Sequence, residues 1–139
     1  MRIRLARQGD VDAIRDLLIH LNNFGWRPEK RTVEEAVRHP ATFMYVAEES
    51  EVLVGTATLS VRALPSVGFV GHIDDVVVLP TCRGQGVAKE LLDEIINACR
   101  QLHCVSLELT SRPERKAANQ FYRKMGFKVR ATNVYRLII

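Results

Sequence analysis

Residues 76–92 read Val-Val-Val-Leu-Pro-Thr-Cys-Arg-Gly-Gln-Gly-Val-Ala-Lys-Glu-Leu-Leu, and they constrain the fold of this chain most tightly. The run Val76 to Leu79 is continuously apolar. A strand without alternation is expected to be central and covered on both faces. Pro80 stops it, and a helix is expected to begin near Gly84. Val87, Leu91, Leu92, Ile95, Ile96, Cys99 and Leu102 then recur near a 3.6-residue period, which predicts one broad buried stripe. Val105 to Thr110 alternates as a strand. Strand, helix and strand together make a βαβ unit at the centre of the chain.

The flanking segments extend that unit. Ile3 to Ala6 predicts a short first strand. Asp10 is expected to cap a helix carrying Val11, Ile14, Leu17, Leu18 and Leu21, ended by Asn22-Asn23-Phe24-Gly25. Thr32 and Glu35 have capping-box spacing for a second helix, closed before Pro40. Phe43–Ala47 and Val52–Val61 predict a hairpin, residues 63–69 a loop, and Val70–Leu79 the central strand. A helix is expected over 114–125, ended by Gly126, with Ala117, Ala118, Phe121 and Met125 inward. Lys128–Ala131 and Val134–Ile138 predict two closing strands. The order β-α-α-β-β-β-α-β-α-β-β implies an α/β fold with helices on both faces of a mixed sheet. No repeat or linker divides residues 1–139, so a single domain is expected.

Composition narrows the function. With 139 residues, 47% hydrophobic and 26% charged, the chain can build a packed core. No apolar run approaches the roughly 20 residues that span a bilayer, and MRIRLARQGD lacks the apolar stretch of a signal peptide, so a cytoplasmic protein without membrane contact is expected. Cys82, Cys99 and Cys104 match no zinc spacing, and His20, His39, His72 and His103 are scattered, so no metal site is expected. The net charge of +4 is uneven: residues 112–139 hold eight Lys/Arg against Glu114, whereas residues 1–111 hold twelve Lys/Arg against fifteen Asp/Glu. That basic quarter suits an anionic ligand or a solvated face.

The loop after the central strand reads either as an anion site or as a strand–helix turn that merely uses glycine. A strand that ends in a glycine-containing turn into a helix leaves unpaired N–H groups at the positive end of the helix dipole, which is a phosphate nest. Gly84 and Gly86 permit close approach to the backbone, and Arg83 adds charge. The loop is not a Walker loop, and it lacks the third glycine of a dinucleotide fingerprint.

Arg83-x-x-Gly86-x-Ala88 resembles the acetyl-CoA pyrophosphate motif [QR]-x-x-G-x-[GA] of the GNAT superfamily of acetyl-CoA-dependent N-acetyltransferases. Asn119-Gln-Phe-Tyr122-Arg-Lys-Met-Gly126-Phe127 resembles that superfamily's second signature, and the element order is similar throughout. The resemblance implies a GNAT-like domain with a mixed, mostly antiparallel sheet. It implies acetyl transfer from acetyl-CoA, as donor co-substrate, directly to a primary amine of a small molecule or peptide. The alternative is a non-catalytic CoA-binding regulatory domain of the same fold.

By that resemblance, the main chain of Val76, Val77 and Val78 binds the pantetheine arm. The N–H groups of Gly84, Gln85, Gly86, Val87 and Ala88, with Arg83, hold the pyrophosphate, and Asn119 contacts the cofactor. Tyr122 is the proton donor to the departing thiolate, and Asp74 is the proposed general base, with Asp75, His72, Glu108 or water as alternatives. The oxyanion falls to an N–H of Val76 or Val78. Arg115, Lys116, Arg123 and Lys124 are expected to flank the phosphates, which leaves no need for a nucleic-acid partner; a homodimer is left open. Acceptor specificity is implied for Phe24–Glu29, 62–72 and 131–139. Gly71-His72-Ile73-Asp74-Asp75-Val76-Val77-Val78 is locally similar to glucosamine-phosphate N-acetyltransferases, with Asp74 where they have Glu.

Overall fold

The computed structural model describes residues 1–21 and 25–139. The elements are β1 (Arg2–Leu5), α1 (Val11–Leu18), α2 (Lys30–Arg38), β2 (Thr42–Glu49), β3 (Val52–Leu64), β4 (Gly68–Val78), α3 (Val87–Gln101), β5 (Ser106–Leu109) and α4 (Lys116–Lys124). Single 3-10 turns lie at Gln8–Asp10, Ile19–Leu21 and Pro80–Cys82. The strands form one sheet in chain order. Neighbours β1 to β4 are antiparallel, and β5 runs parallel to β4. Among the described residues no helix is long and apolar enough to cross a membrane.

Helices cover both faces. The stripe on α3 buries Leu91, Leu92 and Ile95 completely against Ala47, Ala57, Leu59 and Ile73. On the other face α1 and α2 bury Val11, Ile14, Leu17 and Val33 against Met44, Val46 and Val77. Gly71 shows how tightly α3 sits. A Cβ there would stand 2.9 Å from both Cys99 Sγ and Leu107 Cδ1. Gly71→Ala is therefore expected to cost about 1–3 kcal/mol, as overpacking does in dense cores, read as a lower urea midpoint at unchanged slope.

Helices α3 and α4 end alike. Cys104 N–H donates to Cys99 C=O at 2.9 Å across His103, which has φ +57°. Phe127 N–H donates to Tyr122 C=O at 3.0 Å across Gly126, which has φ +96°. These are Schellman caps, which bring the third-last helical side chain against the residue just past the cap. In α4 that contact is Tyr122 on Phe127, ring centroids 6.1 Å apart.

Several expectations need correction. Residues 127–139 form no strand. A strand exists through its partner rather than its propensity, and here Thr132 N–H turns back to Arg130 C=O, bending the run between the two expected strands. Val134, Tyr135, Leu137 and Ile138 stand exposed, the first two beside an open cleft of about 1120 Å³ along β5 and α4. The carboxylate of Asp10 serves Arg4 and the N–H of Arg7 rather than the start of α1, and Arg4 holds it below the usual carboxylate range. Helix α2 begins two residues before Thr32, with Glu29 at its cap. Helix α3 starts at Val87, since Gly84 and Gly86 lie in the turn before it. Ala117 is exposed. The terminator at Asn22, Asn23 and Phe24 lies outside the described residues.

Candidate functional site

The site begins with an irregularity in β4. Val77 pairs with Thr56 and Asp74 with Thr58, so Asp75 and Val76 together oppose Ala57. This is a β-bulge, and Asp75 takes φ +53° to form it. The extra residue reverses the alternation of the strand. Ile73 packs toward α3 before the bulge, Val76 and Val78 pack toward α3 after it, and Val77 faces α1.

The bulge also marks where β5 departs. Parallel pairing joins Val70–Ile73 to Ser106–Leu109 and stops, while β4 continues along β3 to Val78. Leu79 N–H donates to Val54 C=O at 2.9 Å. Antiparallel alternation from that bond turns the main-chain groups of Val77 into the sheet and those of Val76 and Val78 toward the open side. The carbonyl of Val78 already faces that way, where it accepts Arg83 Nε at 3.3 Å.

Below the opening lies the glycine turn. Gly84 and Gly86 have φ +75° and +87°. Gly86 caps α3 without a side chain, so the N–H groups of Val87, Ala88 and Lys89 have no helical acceptor. Gln85 anchors the turn through Nε2 to Thr81 C=O at 3.1 Å. A Cβ on Gly84 or Gly86 would meet no protein atom within 4 Å, so the turn is open toward solvent. Donors, dipole and open approach fit a pyrophosphate.

Helix α4 brings its residues to the opening from the other side. A cavity of about 70 Å³ lies where the β4–β5 pairing ends, walled by Ile73, Asp74, Asp75, Val76, Leu109 and Tyr122, with Arg115 at the start of α4. Burial holds the Tyr122 hydroxyl above the ordinary tyrosine range, and Arg115 partly offsets this. Burial also lifts the Asp75 carboxyl, with Asp74 adding repulsion, although Asp75 reaches solvent at the cavity mouth.

The remaining candidates separate. His72 Nδ1 lies 3.2 Å from Asp74 Oδ2. Glu108 is engaged by Arg130 at 2.6 Å and Arg62 at 3.8 Å, away from the cavity. Asn119 spends its amide on Arg112 C=O at 2.9 Å, which ties the preceding loop to α4. Cys82 lies in the turn after β4, and its thiol contacts Thr81 Oγ1 at 3.7 Å. Sequence reasoning missed the cavity walls Leu21, Ile73, Leu109 and Thr110. The alternation shared by Ile73 and Leu109, the last parallel pair, is the signal that could have found two of them.

Known proteins identify the family. The acetyltransferase (GNAT) family profile matches residues 11–127. A glucosamine 6-phosphate N-acetyltransferase of Trypanosoma brucei brucei is 30% identical over 92% of this chain and 89% of its own length. An aminoalkylphosphonate N-acetyltransferase of Salmonella typhimurium is 26% identical over 91% and 84%. A putative acetyltransferase from Agrobacterium tumefaciens superposes with a TM-score of 0.88 at 22% identity, covering all of both chains. The chain belongs to the acetyltransferase (GNAT) family and is an acetyl-CoA-dependent N-acetyltransferase.

Proposed function

We propose that the protein moves the acetyl group of acetyl-CoA directly onto the primary amine of a small-molecule or peptide acceptor, at the opening between β4 and β5. The observation that supports this reading is the bulge, beside which Val76 and Tyr122 line one small cavity. In this account the turn from Gly84 to Ala88 binds the pyrophosphate. Arg83 is released from Val78 when the arm of the donor arrives. An N–H of Val76 or Val78 meets the oxyanion. The neutral amine attacks the thioester carbonyl carbon, the C–S bond breaks, and Tyr122 protonates the sulfur. A covalent route through Cys82 is disfavoured, because that thiol lies outside the cavity holding Tyr122.

Asn119 is assigned a supporting part: by holding Arg112 it fixes the start of α4, and with it Tyr122. A cytoplasmic location accompanies the reading, since Cys82, Cys99 and Cys104 are all free thiols. The test is an amine panel with acetyl-CoA, followed by release of free thiol. Glucosamine 6-phosphate and aminoalkylphosphonates head the panel because relatives carry those names. Polyamines, lysine peptides and N-terminal peptides complete it. Thiol release with at least one amine is expected; tight CoA binding with no turnover on any amine would overturn the transfer reading.

A further inference from the structure

Asp75 is, among the described residues, the only strand residue other than glycine with a positive φ. The left-handed position of such a bulge ordinarily carries glycine, because a Cβ there crowds the backbone. Asp and Asn tolerate it best among other residues. An outlier of this kind persists when its surroundings hold it there, and outliers cluster where chemistry needs them.

A structural use of the carboxylate does not account for it. Asp74 is tied to His72, but among the described residues the Asp75 carboxylate makes no hydrogen bond or ion pair. Its side chain instead borders the cavity that Tyr122 and Arg115 also enter. The charged and titratable groups facing it are Asp74 on its own strand, with His72 beyond, and Arg115 and Tyr122 from α4. Leu109 and Thr110 of the β5 side and Leu21 of the 3-10 turn add no charge.

We propose that Asp75, rather than Asp74, is the catalytic carboxylate that takes the proton from the acceptor's ammonium group, and that the bulge serves to present it. This rests on the transfer reading above. The acceptor R–NH3+ gives one proton to the Asp75 carboxylate and becomes R–NH2. The nitrogen lone pair forms the C–N bond, and the C–S pair leaves on sulfur. Tyr122 supplies the thiol proton and regains one from the amide nitrogen through solvent. Asp75 releases its proton to water, so one proton is produced per acetyl group transferred. The walls that lift the Asp75 carboxyl strengthen it as a base for this step.

The test compares Asp75→Asn, Asp75→Gly and Asp74→Asn on the fastest amine of the panel. Asn keeps the left-handed backbone and removes the charge. Asp75→Asn is expected to lower kcat about tenfold at pH 7, below the usual 10²–10⁴ for general-base loss because water also reaches the site. The acetyl-CoA KM should stay unchanged, and the deficit should close as pH rises and the amine sheds its own proton. Asp75→Gly should match Asn in rate yet melt at or above wild type, because glycine relieves the backbone. Asp74→Asn should lose less than Asp75→Asn, and a larger loss at Asp74 would return the role to that residue. Asp75→Asn turnover within threefold of an active wild type, or a tenfold loss that persists at alkaline pH, would remove Asp75 as the base. A wild-type protein that acetylates no amine fails at the transfer reading itself, and the assignment falls with it.

Discussion

Gly86→Val raises the KM for acetyl-CoA about 30- to 100-fold, while the far-ultraviolet spectrum and cooperative melting stay close to wild type. Gly86 has φ +87° and a Cβ there would touch no protein atom, so the cost lies in the backbone and the ligand rather than in the core. Left-handed backbone costs an ordinary residue about 1–2 kcal/mol, and a β-branched side chain is least suited to it. The chain can keep its shape, and the valine methyls then cover the N–H groups of Val87 and Ala88. It can instead rotate, and the donors no longer converge. Each hydrogen bond to a charged partner contributes about 1.5–3 kcal/mol, and about 1.4 kcal/mol is tenfold in affinity. Losing one such bond with partial compensation gives the expected range. Arg83→Ala should do less, about fivefold or under, because an exposed charge beside a main-chain nest contributes about 0–1 kcal/mol. Calorimetric titration with CoA checks both variants; normal CoA binding by Gly86→Val would displace the pyrophosphate from this turn.

Tyr122→Phe lowers kcat about 10- to 100-fold with little change in acetyl-CoA affinity. The substitution keeps the ring, which packs on Phe121 and Phe127 at centroid distances of 5.5 and 6.1 Å, so folding is preserved. Only the proton donor is lost, and its interaction with sulfur develops in the transition state, which places the effect in kcat. General acids commonly contribute 10²–10⁴-fold, and a thiolate that can leave unaided places this one at about 10- to 100-fold. The sign of the pH dependence follows from burial. Because the hydroxyl is held above the ordinary tyrosine range, it stays protonated through neutral and mildly alkaline pH. Raising pH from 7 to 9 therefore costs no activity through Tyr122. Steady-state kinetics with a melting-temperature control measure the effect, and turnover within threefold of wild type would make Tyr122 a packing residue.

The sequence was most readable where burial was strongest. The α3 stripe, the β2–β3 hairpin and the apolar run of β4 carry periods that only one packing satisfies, and each forms about where it is expected. The glycine turn was legible because two glycines before an amphipathic helix have few structural uses. The bulge was not. Nothing near Asp74-Asp75 announces a left-handed residue, and alternation along a strand carries no sign of where an extra residue will interrupt it. The closing strands failed differently. Val134, Leu137 and Ile138 have strand propensity, but the neighbour that would make them a strand is not specified locally. Asn119 illustrates a third limit: a motif names a residue, while only the fold shows that its amide is already committed to Arg112.

The seam between β4 and β5 carries a consequence for how the domain assembles. Strands β1 to β4 pair with neighbours in chain order, through short connections within β2–β3–β4. The β4–β5 pair is the sole parallel one among the described residues, and the whole of α3 must fold back before its four residue pairs can meet. Loop closure of that kind is entropically late, and parallel pairing rewards it slowly. The antiparallel part is thus expected to condense first, with β5 and α4 docking onto a platform already formed. Opening runs in the reverse order, so the least protected boundary of the native state is the one along which Val76, Asp75 and Tyr122 meet. The opening proposed for the donor and the step of folding expected last are the same line in the molecule.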